Sequence, residues 1–336
     1  MTSLKGSDIS TLPLLRRAQI FLTLSTWIAG LVLVSLWWIL DLALLPRPIA
    51  FASLAFKLAL LALPLRIPPP EFVKKFLRFS MVAADSYFPV NVVCEGKQED
   101  YSGNGPFVIG YEPHSVLPQG ISVFSQYGSQ AAIPQGLSDT RILVSSAGFW
   151  APIMRHLWWW LGCRPVGRAS FQHQLRQGRS VAVCPGGVME CIYMEQEQGR
   201  EVAYLRKRHG FVRMALQAGA PLVPVFAFGQ SDLYSYCRLV FDWPKNRLLV
   251  PRAQWARFVR RIGYMPMLVW GWCGSFMPKQ VAMTVVIGKP IPVPKIEHPT
   301  PEQVSEYLQR FISEMERLFS EHKEAAGHPH ATLTVI

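Results

Sequence analysis

Hydrophobic positions follow three patterns along this chain. The first is a continuous run. Ala18 to Leu40 contains no charged residue and is long enough to cross a bilayer as a helix. Its twelve Leu, Ile, Val and Phe residues contribute roughly −4 to −7 kcal/mol toward insertion. Asp41 ends the run, and Pro46-Arg47-Pro48 reads as a turn. A second run, Ile49 to Leu65, offers nine strongly apolar residues, worth roughly −3 to −5 kcal/mol, against about +3 for Lys57 at its middle. That segment is marginal as a span, so Lys57 is expected to snorkel or to face the first helix. Arg16 and Arg17 precede the pair, while Arg66, Lys74, Lys75 and Arg78 follow it. Positive charge on both flanks predicts a hairpin, transmembrane or re-entrant, with both ends in the cytosol. A secretory signal peptide does not fit, because the stretch is too long and no small-x-small cleavage site follows.

From about Pro68 the pattern changes to short β-like runs bounded by Gly or Pro: Val90–Cys94, Phe107–Tyr111, Ile142–Ser145, Val181–Cys184, Leu222–Phe228 and Met283–Ile287. The third pattern is helical. Val212–Ala218 stops at Gly219. The last helix is capped by Thr300, with Pro301 at its first position and Gln303 completing a capping box. Val304, Leu308, Phe311, Met315 and Leu318 line one face of it, and the stretch after Gly327 reads as a frayed tail. Strands alternating with helices predict an α/β fold, a mixed sheet flanked by helices. The expected divisions are a cytosolic tail over 1–17, the membrane hairpin over 18–66, the α/β domain over 67–326 and a flexible tail over 327–336.

Composition narrows the class. Half of the 336 residues are hydrophobic and 17% are charged, which excludes disorder. A net charge of +12 on so apolar a chain calls for an anionic partner: nucleic acid, an anionic leaflet or a phosphate-bearing substrate. Nucleic acid is set aside, because aromatic and Leu/Trp clusters outnumber the basic runs and no zinc-finger or RNA-binding signature appears. Two stretches mix tryptophan with arginine as a headgroup-facing surface does: Phe149–Leu161, and Gln254–Trp272 with Arg257, Arg260 and Arg261 set against Trp255, Phe258, Ile262, Leu268 and Trp270. Six cysteines show no C-x-x-C spacing, so neither a zinc site nor a disulfide framework is indicated.

G-x-S-x-G, Walker A, dinucleotide-binding and H-E-x-x-H patterns are all absent. Three pieces of sequence can carry chemistry. Tyr111-Glu112-Pro113-His114-Ser115 ends a strand and aims His114, a general-base candidate, off its end. Val181 to Glu190 is another strand, running into Pro185-Gly186-Gly187 with Glu190 just beyond. Its glycines let the backbone approach a ligand and can present N–H groups to an oxyanion. Leu205 to Arg213, a basic loop opening a helix with Arg206-Lys207-Arg208 at its centre of charge, suits phosphate groups.

Together these motifs resemble the type-2 diacylglycerol acyltransferase family, within the glycerolipid acyltransferase superfamily. The likeness covers the hairpin and about Phe72 to Ile312. It rests on Tyr111–Ser115, on Gly148-Phe149 through Arg155-His156 to Trp160-Leu161-Gly162, on Pro185–Glu190, and on Arg208-His209-Gly210-Phe211 through Leu222–Gly229. The Glu-Pro-His-Ser form looks like the plant branch. The resemblance implies transfer of a fatty acyl group from acyl-CoA to diacylglycerol at the endoplasmic reticulum membrane and lipid-droplet surface. No metal or cofactor is implied, and a homo-oligomer is compatible with it. His114 would be the base, with Glu190 and then Glu112 as candidate carboxylate partners. Glycerophosphate-type relatives pair their histidine with an aspartate five positions later, where this chain has Gln119, and carry an arginine in the second motif, where Pro185–Glu190 has none. The second departure suggests an acceptor without a phosphate. Monoacylglycerol or a long-chain alcohol is the alternative acceptor. A non-catalytic lipid-droplet hairpin protein is the alternative of another class.

Overall fold

The computed structural model describes residues 12–102, 105–128, 133–194, 199–238, 241–242, 247–248 and 250–336. The first eleven residues of the expected N-terminal tail lie outside them. The apolar run forms α1 (Leu14–Leu44), longer than its charge-free part. Within it, the 28 residues Leu14–Asp41 are long and apolar enough to cross a membrane. The second run forms α2 (Arg47–Ala62). At 16 residues α2 is about 24 Å long, short of the ~30 Å hydrocarbon core, and fits a re-entrant arm better than a second span. Lys57 faces α1, as one of the two expected outcomes has it. Its Nζ lies 2.7 Å from Asp41 Oδ2 and donates to the Trp37 carbonyl, with the Trp38 ring 4.6 Å away. Asp41, besides ending the run, therefore supplies the counter-charge.

The N-terminal half of α1 belongs to the core. Ile20, Leu24, Trp27 and Ile28 are buried, while Leu33, Leu36, Ile39 and Leu40 stand exposed. What covers the buried half includes α3 (Glu71–Tyr87), through Leu77, Met81, Ala83 and Ala84. The hairpin and the α/β domain thus share a core across the expected division at residue 66.

In chain order there follow β1 (Val90–Cys94), β2 (Val108–Glu112), β3 (Thr140–Val144), α4 (Met154–Trp160), β4 (Cys163–Pro165), α5 (Arg168–Arg176), β5 (Ser180–Val183), α6 (Glu190–Tyr193), β6 (Arg200–Ala203), α7 (His209–Ala218) and β7 (Leu222–Phe228). After these come β8 (Ser235–Arg238), β9 (Phe241–Asp242), β10 (Arg247–Leu248), α8 (Arg252–Ile262), β11 (Met267–Trp270), β12 (Met283–Ile287), α9 (Pro301–His322) and β13 (Thr332–Val335). All six expected strands are present, β1, β7 and β12 with the expected bounds and β2, β3 and β5 with ends moved by one or two residues.

Seven strands build one mixed sheet in the order β1-β12-β7-β2-β5-β3-β4. The β12–β7 pair is antiparallel and every other pair is parallel. The central strands β2 and β7 are buried at every position, as both-face coverage requires. Alternation then sorts their side chains. Val108, Leu222 and Phe226 join a core under α5, α7 and α9, while Ile109, Val223 and Val225 join one that includes Trp27 and α3.

The helix α9 has its expected start: Thr300 Oγ1 accepts from the Gln303 amide, and Gln303 Oε1 accepts from the Thr300 amide. All five expected apolar positions on it are buried. The tail corrects the expectation of fraying. Thr332–Val335 pairs in parallel with Arg200–Ala203, and Ile336 continues the pairing through its amide to the Ala203 carbonyl. Of the two stretches expected to face headgroups, α8 and its sequel expose Phe258, Ile262, Tyr264, Leu268 and Trp272 beside exposed Arg257, Arg260 and Arg261. Trp255 and Trp270 are the exceptions: Trp255 is buried against Val259 and Met189, and Trp270 is half-buried.

Candidate active site

Strand β2 ends at Glu112, at the carboxyl edge of the sheet, where α/β proteins place reacting groups. Beyond it, Ser115 sits at φ +53°, a left-handed conformation that a non-glycine residue holds only when its surroundings fix it. Gln230 is part of that fixation. Its Oε1 accepts from the Tyr111 hydroxyl and, at 2.9 Å, from the Gly120 amide, and its Nε2 donates to the Pro113 carbonyl. Gln230 is buried just past the end of β7.

His114 Nδ1 lies 2.8 Å from the Ser115 carbonyl. A carbonyl can only accept, so Nδ1 carries the proton and Nε2 is left as the acceptor of the neutral ring. Cys191 Sγ sits 3.4 Å from both Nδ1 and that carbonyl. Burial pulls the His114 pKa down, but the Cys191 sulfur, the Ser115 carbonyl and Glu190 outweigh it and raise it to about 9.

The two carboxyls do not take the expected positions beside the imidazole. Glu190 Oε1 accepts from the backbone amide of His114, and Oε2 accepts from the Tyr204 amide at 3.4 Å. Glu112 Oε1 accepts from the Gly186 amide at 3.1 Å. Both side chains are buried, and Glu112 is hydrogen-bonded to Glu190. Burial, and then the charge of Glu190, pushes the Glu112 pKa well above the carboxylate range. Glu112 therefore holds a proton. Among the described residues its Oε2 meets no donor, as expected of the oxygen that carries that proton. The pair holds the two strand-end motifs together through the backbone of His114 and Gly186.

Local backbone explains the two glycines. A Cβ on Gly186 would stand 2.3 Å from Glu190 Oε2, and Gly187 has φ +52°. Since the Gly186 amide is engaged by Glu112, it is not free for an oxyanion in this arrangement. Gly187 lines the adjacent cavity with Pro185.

That cavity, of 1060 Å³, contains His114 in its wall and brings the sequence motifs together. Lys207 and Arg208 line it, but Arg208 also donates to the Gly186 carbonyl at 2.5 Å. Arg206 is the correction within the trio. Its Nε donates to the Val335 carbonyl at 3.0 Å and its amide to the Ile336 carbonyl, so it secures the C-terminal strand. In its place the cavity recruits Arg168 from the start of α5, Arg213 from α7 and Arg260 from α8. Arg213 belongs to the basic stretch Leu205–Arg213 already read as suited to phosphates, whereas sequence reasoning missed Arg168 and Arg260 as site residues because they come from separate elements. Apolar walls come from Met81, Ile121, Ile142, Val144 and Trp158, with Trp27 and Leu31 from α1. A cavity with a cationic margin, apolar walls and a histidine at a strand end can hold an amphipathic, phosphate-bearing donor beside a base.

The family described as diacylglycerol acyltransferase matches residues 70–336, and this chain belongs to it. It is an acyltransferase. Among curated relatives, Diacylglycerol O-acyltransferase 2-like protein 6 of Mus musculus is 33% identical over 264 residues, 72% of each chain. The 2-acylglycerol O-acyltransferase 3 of Homo sapiens is 32% identical over 74% of this chain and 73% of its own. Diacylglycerol O-acyltransferase 2 of Danio rerio is 31% identical over 74% of this chain and 69% of its own. The crystal structure of the 1-acyl-sn-glycerophosphate (LPA) acyltransferase PlsC from Thermotoga maritima is similar at a TM-score of 0.40 and 13% identity, covering 92% of this chain and 98% of that one.

Proposed function

We propose that this protein transfers a fatty acyl group from acyl-CoA to the free hydroxyl of diacylglycerol, making triacylglycerol. The observation that carries the reading is His114: its Nδ1 proton is committed to the Ser115 carbonyl, and its ring lies in the wall of a cavity with a cationic margin. Nε2 takes the hydroxyl proton as the acceptor oxygen attacks the thioester carbonyl, a contribution of about 10²- to 10⁴-fold for a positioned base. The tetrahedral oxyanion then collapses, the C–S bond breaks, and the proton held on Nε2 passes to the departing CoA sulfur. A thiolate leaves readily because thiols are far more acidic than alcohols. The thioester supplies the driving force, so the reading calls on no metal or redox cofactor. Of the two glycine amides, Gly187 is the one left to meet the oxyanion, since Gly186 is bonded to Glu112.

Lys207, Arg168, Arg213 and Arg260 suit the phosphates of CoA, whose long-range attraction the net charge of +12 strengthens. An uncharged acceptor follows from the turn Pro185–Glu190, which contributes no cation. The proposal places the enzyme at the endoplasmic reticulum membrane and the lipid-droplet surface, with both termini cytosolic. The alternative acceptors are monoacylglycerol and long-chain alcohols, the chemistry named in relatives such as the 2-acylglycerol enzyme and the Acyl-CoA wax alcohol acyltransferase 2 of Mus musculus. Purified protein with radiolabelled acyl-CoA and a panel of diacylglycerol, monoacylglycerol and hexadecanol separates them. Labelled triacylglycerol as the main product supports the proposal, and preferential labelling of either other acceptor overturns it. No transfer to any acceptor would leave the lipid-droplet hairpin reading.

A further inference from the structure

We propose that the face of α1 bearing Trp27, Leu31 and Ser35 is the passage by which diacylglycerol leaves the bilayer and reaches His114. The inference rests on the acyl-transfer reading above. These residues are spaced by four, so they share one face of the helix and span about 12 Å along its axis. All three line the cavity that contains His114. Their exposure rises along the helix: Trp27 is buried, Leu31 half-buried and Ser35 exposed. Trp27 is fixed at the inner end, where its Nε1 donates to Ser80 Oγ at 2.8 Å and its ring stands 5.1 Å from that of Trp158. Next to Leu31, Gly30 lets α4 come close, since a Cβ there would lie 2.8 Å from Met154 Sδ.

At the outer end, the Ser35 hydroxyl donates to the Leu31 carbonyl at 2.7 Å, so its proton is already committed within the helix. Around and beyond it α1 exposes Leu33, Leu36, Ile39 and Leu40, the surface suited to lipid tails. The stripe therefore links a bilayer-facing helix surface to the reacting histidine without crossing a charged side chain of α1.

Charge decides the occupant. The CoA phosphates cannot follow an apolar stripe, because moving an unpaired charge out of water is prohibitive, and the cations that suit them come from α5, the loop before α7, α7 and α8. Diacylglycerol carries no charge and resides in the bilayer. It is the substrate whose path must begin there.

The test uses the full-length protein in phosphatidylcholine vesicles containing diacylglycerol. Leu31→Trp and Ser35→Trp narrow the stripe, and Leu33→Trp, on an exposed part of α1, is the control. The expected result is a rise of about fivefold or more in apparent KM for diacylglycerol, with KM for palmitoyl-CoA within about twofold and the control unchanged. An unchanged diacylglycerol KM overturns the inference. So does selective loss of palmitoyl-CoA turnover relative to octanoyl-CoA, which would give the stripe to the acyl chain of the donor. Wild-type protein also answers the question without substitution. A diazirine-bearing diacylglycerol should label the 27–35 segment of α1, and labelling confined to other elements overturns the passage. Wild-type protein that turns over acyl-CoA but never esterifies diacylglycerol would sink the underlying reading, a result distinct from either outcome for α1.

Discussion

The proton on Glu112 makes the carboxyl pair unequal, and a pair of isosteric substitutions reads the inequality directly. Protonated Glu112 accepts from the Gly186 amide through one oxygen and donates through the other. Glutamine reproduces that pattern, with its oxygen on Gly186 and its NH₂ toward Glu190. Glu112→Gln should therefore keep kcat and the unfolding midpoint in detergent close to wild type. Glu190 differs because it only accepts: from the His114 amide, from the Tyr204 amide and from Glu112. A glutamine there must turn its NH₂ toward one of these donors. Leaving a buried donor unmatched costs about 1–3 kcal/mol, equivalent to roughly 5- to 150-fold in an equilibrium constant. That penalty should appear as a lowered midpoint and, because the His114 backbone loosens, a lowered kcat with KM for acyl-CoA little changed. The assay is labelled acyl transfer alongside thermal unfolding in the same detergent. Equal damage from Glu112→Gln and Glu190→Gln would refute the assignment of the proton to Glu112.

The His114 environment sets a pH limb. A base must be neutral to accept a proton, and a pKa of about 9 makes kcat/KM climb from pH 7 toward 9. Cys191→Ala removes a sulfur that raises that pKa, so the limb should move to lower pH and activity at pH 7 should increase relative to pH 9; an unmoved limb would contradict the pairing. In the hairpin, Lys57→Leu leaves Asp41 without its counter-charge and should lower the unfolding midpoint, while Lys57→Leu with Asp41→Leu should recover most of the loss. A double variant no better than the single one would show that the ion pair is not what the single change disrupts.

Much of the fold was legible because its signals are local. The helix α9 carries its own cap, first proline and apolar stripe, and β7 is seven apolar residues between Pro221 and Gly229. His114 was legible as a strand-end histidine for the same reason. What escaped depends on contacts between distant parts of the chain. Its place beyond a separate strand end brought Glu190 toward His114, but that could not tell the imidazole from the backbone amide, which is where the bond goes. Gln230 braces a motif more than a hundred residues before it, and nothing in Phe228-Gly229-Gln230 announces that. Arg206 looked like its neighbours Lys207 and Arg208 until the C-terminal strand arrived to take its guanidinium. That strand had a readable Thr-Leu-Thr-Val alternation, but at four residues it was too short to outweigh a terminal position. Trp255 shared a helix with exposed arginines, and only the packing of α8 on Met189 turned it inward.

The central claim is that His114 removes the acceptor proton. The most direct measurement is acyl transfer from radiolabelled palmitoyl-CoA to diacylglycerol by purified wild type and His114→Ala, matched for membrane association and unfolding midpoint. The account predicts labelled triacylglycerol from wild type and a loss of at least about 100-fold in the variant, the lower bound for a positioned base. A His114→Ala variant that keeps more than about a tenth of wild-type turnover would contradict it.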